Sequence, residues 1–136
     1  MVTSSPLRGQ CLCGDVKFRI EGASDAPIAC HCEQCRQWSG HYWASVRVRQ
    51  EKLVLEHGEQ SLAWYPEKVA ERGFCVICGS SLFYRRLDPG ADHVSVAAGT
   101  LHAPTGKVLE THIFITEKGD YYELPEGAVT YDGDDE

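Results

Sequence analysis

Seven cysteines stand in three close groups along the chain: Cys11-x-Cys13, Cys30-His31-Cys32-x-x-Cys35, and Cys75-x-x-Cys78 followed by Gly79. Thiols one or two residues apart can turn both sulfurs toward one ion. A soft thiolate set of this kind selects zinc or an iron–sulfur centre over magnesium or calcium. Seven ligands call for two ions. Four thiolates saturate a tetrahedral zinc, whereas three leave one coordination position for water or a substrate sulfur. The odd number excludes complete pairing as disulfides within one chain, and a reducing compartment disfavours disulfides altogether. Iron–sulfur ligation is the alternative, but ferredoxin-type runs space their cysteines differently.

A chain of 136 residues suits one domain with one core, burying roughly two thirds of the surface of the unfolded chain. With 43% hydrophobic and 24% charged residues it reads as an ordinary globular protein rather than a disordered one. No apolar run approaches the ~20 residues of a membrane-spanning helix. Met1 to Gln10 holds no apolar block of the secretory type. The expected compartment is the cytoplasm. The net charge of −7 and the scatter of the 13 lysines and arginines argue against nucleic acid as a partner, since a polyanion needs a basic face. Residues 1–8 and the acidic 131–136 are expected to be flexible ends of a single domain spanning 1–136.

Between the cysteine groups the hydrophobic pattern has period two. Val16, Phe18 and Ile20 alternate with Lys17, Arg19 and Glu21; Tyr42, Ala44, Val46 and Val48 alternate with Trp43, Ser45, Arg47 and Arg49. Further strands are expected around Lys52–Glu56, Ser61–Tyr65, Ser81–Arg85, His93–Ala97 and His112–Thr116, punctuated by Gly22, Gly58, Pro66, Asp88-Pro89-Gly90 and Gly119. The best helical candidate is Cys32 to Trp38. The expected fold class is mainly β, with short antiparallel strands whose loops carry the cysteines. Metal cross-links would stiffen such a fold, because the binding energy of a structural zinc is folding energy.

Cys75-Val76-Ile77-Cys78-Gly79 has the form of a zinc knuckle, its glycine permitting the tight turn that aims backbone N–H groups at sulfur. Cys11-Leu12-Cys13-Gly14 supplies a second two-sulfur arm closed by glycine. Two arms make one closed site, so Cys11, Cys13, Cys75 and Cys78 are assigned to a structural zinc. Cys30, Cys32 and Cys35 then form an open site. A histidine could close it, the candidates being His31, His41, His93, His102 and His112. His31 is the weakest of these, because ligands flank it on both sides and its side chain should point away.

The segments Gly9-Gln10-Cys11-Leu12-Cys13-Gly14, Ala29-Cys30-His31-Cys32-Glu33-Gln34-Cys35-Arg36 and Arg72-Gly73-Phe74-Cys75-Val76-Ile77-Cys78-Gly79-Ser80-Ser81-Leu82 resemble those of the glutathione-dependent formaldehyde-activating enzymes, a family that also includes centromere protein V. The resemblance extends through Glu110-Thr111-His112-Ile113-Phe114-Ile115-Thr116-Glu117-Lys118 to Leu124-Pro125. It implies an Mss4-like small β-sheet fold with zinc-binding loops and two Zn2+ per chain. One is a structural zinc on Cys11, Cys13, Cys75 and Cys78; the other is a catalytic zinc on Cys30, Cys32 and Cys35. The implied activity is that of a carbon–sulfur lyase. It forms or cleaves the hemithioacetal of a thiol, glutathione or similar, with an aldehyde, as in S-hydroxymethylglutathione synthesis. His31, His112 and the tyrosines are candidate proton donors; Arg36, Arg85 and Arg86 are candidate partners of substrate carboxylates. A non-enzymatic zinc module that presents a β surface to a protein is the alternative.

Overall fold

Alternating apolar and polar residues, closed by glycine-containing turns, set the secondary structure of the chain, described here over residues 6–135 in a computed structural model. In chain order the strands are β1 (Leu7–Gln10), β2 (Lys17–Ile20), β3 (Ile28–Cys30), β4 (Trp43–Arg49), β5 (Leu53–His57), β6 (Leu62–Pro66), β7 (Ala70–Cys75), β8 (Ser81–Arg86), β9 (His93–Ala97), β10 (Thr111–Ile113) and β11 (Val129–Thr130). One helix, α1 (Glu33–Ser39), follows β3. Strand accounts for 39% and helix, short 3-10 turns included, for 15%, so the protein is mainly β, as expected for an Mss4-like fold.

The residues divide into two compact units, one made of the chain up to Asp25 with Val46–Gly106, the other of Ala26–Ser45 with the chain from Lys107 onward. In the first, β1, β2 and β5 form an antiparallel sheet in that order, and β6 to β9 form an antiparallel meander. Val16, Phe18 and Ile20 pack with Leu82, Phe83, Val94 and Val96, and Phe18 meets Phe83 edge-to-face with ring centroids 5.1 Å apart. A buried aromatic pair of this geometry contributes about 1 kcal/mol beyond its area burial. Cys11 and Cys75 belong to the same core. The four-cysteine group is therefore rooted in the best-packed part of this unit.

In the second unit β10 runs parallel to both β11 and β3, and β3 pairs antiparallel with the start of β4. Cys32 is the N-cap of α1, and Gly40 ends the helix in the left-handed conformation with φ 86°. The helix thus starts within the second cysteine group, one residue later than its sequence suggests.

Further departures are found along the chain. Strands β1, β3, β7 and β11 are not evident from periodicity. β3 and β11 are too short to show a period, and β7 buries Arg72, which breaks the apolar pattern. Arg72 is accommodated there by Glu67, whose Oε2 accepts from Nε at 2.8 Å, and by the Tyr84 ring 4.8 Å away. The expected strand His112–Thr116 stops at Ile113, because Phe114 adopts φ 54° and residues 115–117 form a 3-10 turn. In β4, Trp43 and Ser45 are buried, then Val46 and Val48. The alternation changes phase between residues 45 and 46, where the strand passes from one unit to the other. Of the segments expected as flexible ends, residues 1–5 and 136 lie outside the described residues. Leu7 and Arg8 pair with Ile20 and Arg19, and Tyr131 N–H reaches His112 O at 2.9 Å.

Candidate metal centres

The β1–β2 loop supplies Cys11 and Cys13; the end of β7 and the turn into β8 supply Cys75 and Cys78. Gly14 and Gly79 close the two arms at φ 81° and 80°, a left-handed conformation that a residue with a Cβ rarely adopts. Gly14 N–H returns to Cys11 O at 3.1 Å and Gly79 N–H to Cys75 O at 2.7 Å, so each arm folds back on itself. The four Sγ atoms lie within 4.8 Å of one another, with Cys11–Cys13 at 3.6 Å and Cys13–Cys75 at 3.8 Å. Four sulfurs about 2.3 Å from a tetrahedral zinc stand about 3.8 Å apart, so the group fits such an ion.

Two donors soften the charge of these thiolates. Val16 N–H points at Cys11 Sγ at 3.3 Å. The Ser80 hydroxyl accepts Leu12 N–H at 2.9 Å and donates to Cys78 Sγ at 3.2 Å. That hydrogen bond leads the influences that pull the Cys78 thiol down to about 5. Ser80 was not a candidate from spacing; its place directly after the knuckle glycine was the available signal.

The second group forms where β3 turns into α1. Cys30 ends the strand, Cys32 caps the helix, and Cys35 lies in its first turn with its N–H donating to Cys32 Sγ at 3.4 Å. The three Sγ atoms lie within 4.8 Å of one another. Cys35 is buried and the other two half-buried. Hydrogen bonding with Cys32 and Cys35, then burial, and after it the charge of Cys35 drive the Cys30 thiol up. Among the described residues no histidine, carboxylate or further cysteine joins the three within that distance. The donor set therefore fits a soft divalent ion with one position left over.

Four of the five histidines weighed as a fourth ligand have other side-chain partners, and His102 is not in the three-cysteine group. His31 Nδ1 lies 2.6 Å from Tyr122 OH, and His31 Nε2 lies 2.8 Å from His112 Nδ1. Both imidazoles are buried, and burial before any other cause pushes His31 down to about 4 and His112 down as well. His41 Nδ1 meets Tyr121 OH at 2.6 Å, and His93 Nδ1 meets Asp92 Oδ1 at 2.6 Å.

The arginines considered for substrate carboxylates are also engaged. Arg36 Nε donates to His31 O at 3.2 Å and Glu117 O at 3.1 Å. Arg85 pairs with Glu71 and stacks over Trp64, its guanidinium carbon 3.9 Å from a ring centroid; Arg86 pairs with Asp88 at 2.8 Å. Tyr122, one of the tyrosines considered as proton donors, bonds His31, and Glu117, within the motif that runs from Glu110 to Lys118, bonds Glu33 N–H and Arg36; the sequence does not show these partners, since only the fold brings them together.

Among the described residues no helix is long and apolar enough to cross a membrane. In overall fold the chain is similar to a crystal structure of a Rhodobacter sphaeroides protein. The TM-score is 0.61 and the identity 21%, covering 91% of this chain and 98% of the other. Two sequence relatives add function-bearing names. An uncharacterized lyase of Schizosaccharomyces pombe is 25% identical over 116 residues, which is 85% of this chain and 83% of the relative. A putative glutathione-dependent formaldehyde-activating enzyme of Halomonas elongata is 28% identical over 132 residues, covering 87% of this chain and 80% of that protein. The sequence pattern that defines glutathione-dependent formaldehyde-activating enzymes matches residues 6–117, which include all seven cysteines. The chain belongs to that family.

Proposed function

We propose that the protein is a zinc-dependent carbon–sulfur lyase that forms or cleaves the hemithioacetal of a small thiol, glutathione or similar, with an aldehyde such as formaldehyde. The observation that carries this reading is the group of three sulfurs, Cys30, Cys32 and Cys35, with no fourth protein donor among the described residues. The family and the names of its relatives support a lyase acting on a thiol and formaldehyde. In this reading each chain holds two zinc ions: a structural one on Cys11, Cys13, Cys75 and Cys78, and a catalytic one on Cys30, Cys32 and Cys35.

A zinc ion at the second group would stabilise an incoming thiol as its anion and hold that sulfur for attack. Three cysteine thiolates against one divalent cation leave a single net negative charge, so the site is suited to orienting a sulfur more than to polarising a carbonyl. In the forward reaction the substrate sulfur bonds to the aldehyde carbon, the carbonyl π pair moves to oxygen, and the proton lost from the thiol ends on that oxygen. No oxidant or reductant takes part. His31 commits both ring nitrogens and His112 its Nδ1 to hydrogen bonds, while the half-buried Cys30 and Cys32 leave the group partly open to solvent.

The test is exchange spectroscopy of glutathione with formaldehyde, and of other thiol–aldehyde pairs, with the metal-replete protein and its Cys35→Ser variant. The expected result is interconversion faster than the uncatalysed background, lost in the variant while the fold survives. No acceleration across the panel would overturn the reading. A module that docks on another protein would then take its place. The solvent exposure of Leu12 (85%) and Ile77 (63%), each between two cysteines of the first group, is the observation favouring that second reading.

A further inference from the structure

His31 stands between two cysteines, yet its side chain is fully buried and turned away from them into the body of its unit. Both ring nitrogens are bonded: Nδ1 to Tyr122 OH at 2.6 Å and Nε2 to His112 Nδ1 at 2.8 Å. Its backbone is held equally firmly, the N–H donating to Ile113 O at 3.0 Å and the carbonyl accepting from Arg36 Nε at 3.2 Å. The residues on either side of so fixed a residue inherit its position, and those residues are Cys30 and Cys32.

These hydrogen bonds fix the orientation of the ring. A neutral imidazole has one N–H and one acceptor nitrogen. Gly119 N–H donates to the Tyr122 oxygen at 3.2 Å, which helps hold the phenol in place beside His31 Nδ1. His31 donates through one ring nitrogen and accepts through the other, and either tautomer keeps it bonded to both Tyr122 and His112. One orientation of the ring satisfies both bonds; a ring flipped by half a turn would break them. Tyr122 is itself held, since Lys118 Nζ bonds its carbonyl and lies 4.7 Å from the centre of its ring. Nearby, Glu117 Oε1 accepts Glu33 N–H at 3.2 Å and Glu117 O accepts Arg36 Nε at 3.1 Å, so residues 112–122 grip the cysteine turn at several points.

We propose that Tyr122 and His112 are positioning residues: through the buried imidazole of His31 they hold Cys30 and Cys32 at the separation a metal ion requires. The inference rests on the reading of Cys30, Cys32 and Cys35 as a metal site. Hydrogen-bond partners beyond the ligands of a metal commonly matter about 10–100-fold in its affinity. Here the partner acts on the chain between two ligands instead of on a ligand itself.

The test compares wild type with Tyr122→Phe, His112→Leu and His112→Asn by two measurements on the purified proteins. The first is amide hydrogen exchange over residues 30–36. The second is the rate at which a chromophoric chelator takes zinc from each site, with Co(II) ligand-field bands reporting geometry. Tyr122→Phe and His112→Leu should speed exchange in that segment and release zinc from the three-cysteine site roughly tenfold faster, leaving release from the four-cysteine site unchanged. His112→Asn places an amide group, able to donate or accept, where Nδ1 was and should behave much like wild type. Unchanged exchange in both disruptive variants overturns the inference whatever the metal content. Lowered thermal stability with unchanged zinc release and cobalt bands also overturns it, since a merely structural role predicts that pattern. A wild-type protein that binds one zinc only, found before any variant is made, overturns the metal-site reading of the three cysteines and the claim that the histidine serves it. Faster exchange without a second zinc would leave only a packing role.

Discussion

The hydroxyl of Ser80 lies 3.2 Å from Cys78 Sγ while accepting the N–H of Leu12 at 2.9 Å. One small side chain thus joins the β1–β2 arm of the four-cysteine group to the knuckle after β7. Ser80→Ala removes both hydrogen bonds and leaves Leu12 N–H and a thiolate less well paired. A loss of about 1–2 kcal/mol is expected. Thermal melting should show it as a drop of a few degrees, and chelator challenge should show faster loss of metal from this site with no change at the other. Equal effects on the two sites would mean that Ser80 acts on the fold at large.

Seven sulfurs in two groups predict two zinc ions per chain. Elemental analysis of zinc-replete protein should approach that ratio. A mild chelator should remove the ion at Cys30, Cys32 and Cys35 first, because three ligands hold less tightly than four and two of these three are half-buried rather than enclosed. A maximum of one ion, or iron with visible absorption, would overturn the division into two zinc sites.

Cys75 is fully buried among Leu82, Phe83 and Val96, whereas Cys32 sits half-buried at the mouth of a short helix. Cys75→Ser therefore uncouples a metal from the main core, and its loss should amount to several kcal/mol, with a melting temperature lower by on the order of 10 °C. Cys32→Ser also removes the cap that accepts Cys35 N–H, but serine is itself a good N-cap, so its melting temperature should stay close to wild type. Equal falls in the two variants would contradict the structural and catalytic labels.

Arg72 is buried and pairs with Glu67 at 2.8 Å, the carboxylate being only partly exposed. Glu67→Ala leaves a buried guanidinium without its nearest anion and should cost about 2–4 kcal/mol in urea unfolding. The double variant Glu67→Ala with Arg72→Met should recover part of that loss, since a buried pair replaced by apolar groups is often neutral. If the two changes add without recovery, the pair is not coupled.

Membership of both cysteine groups was legible from spacing alone, because thiols within a few residues of one another converge on an ion in nearly any backbone that turns there. The division into four and three followed from joining two two-sulfur arms into one four-ligand set, and the structure gathers the same sets of residues. Mainly β architecture was also readable, since the strands at β2, β5, β6, β8 and β9 carry a two-residue period or lie between glycine and proline turns. What remained hidden was every relationship between residues far apart in the chain that share no pattern. The periodic reading could not find β7, because Arg72 is buried on the strength of an ion pair that sequence does not display. Nor could it see that His31, flanked by cysteines, would be bonded to His112 and Tyr122 across separations of 81 and 91 residues. The arginines that looked free for substrate proved to be bound to Glu71, Asp88 and backbone carbonyls. Local spacing fixes which atoms can meet an ion, for the backbone between them is short. Which side chains surround that ion depends on long-range packing, and only the tertiary structure decides it.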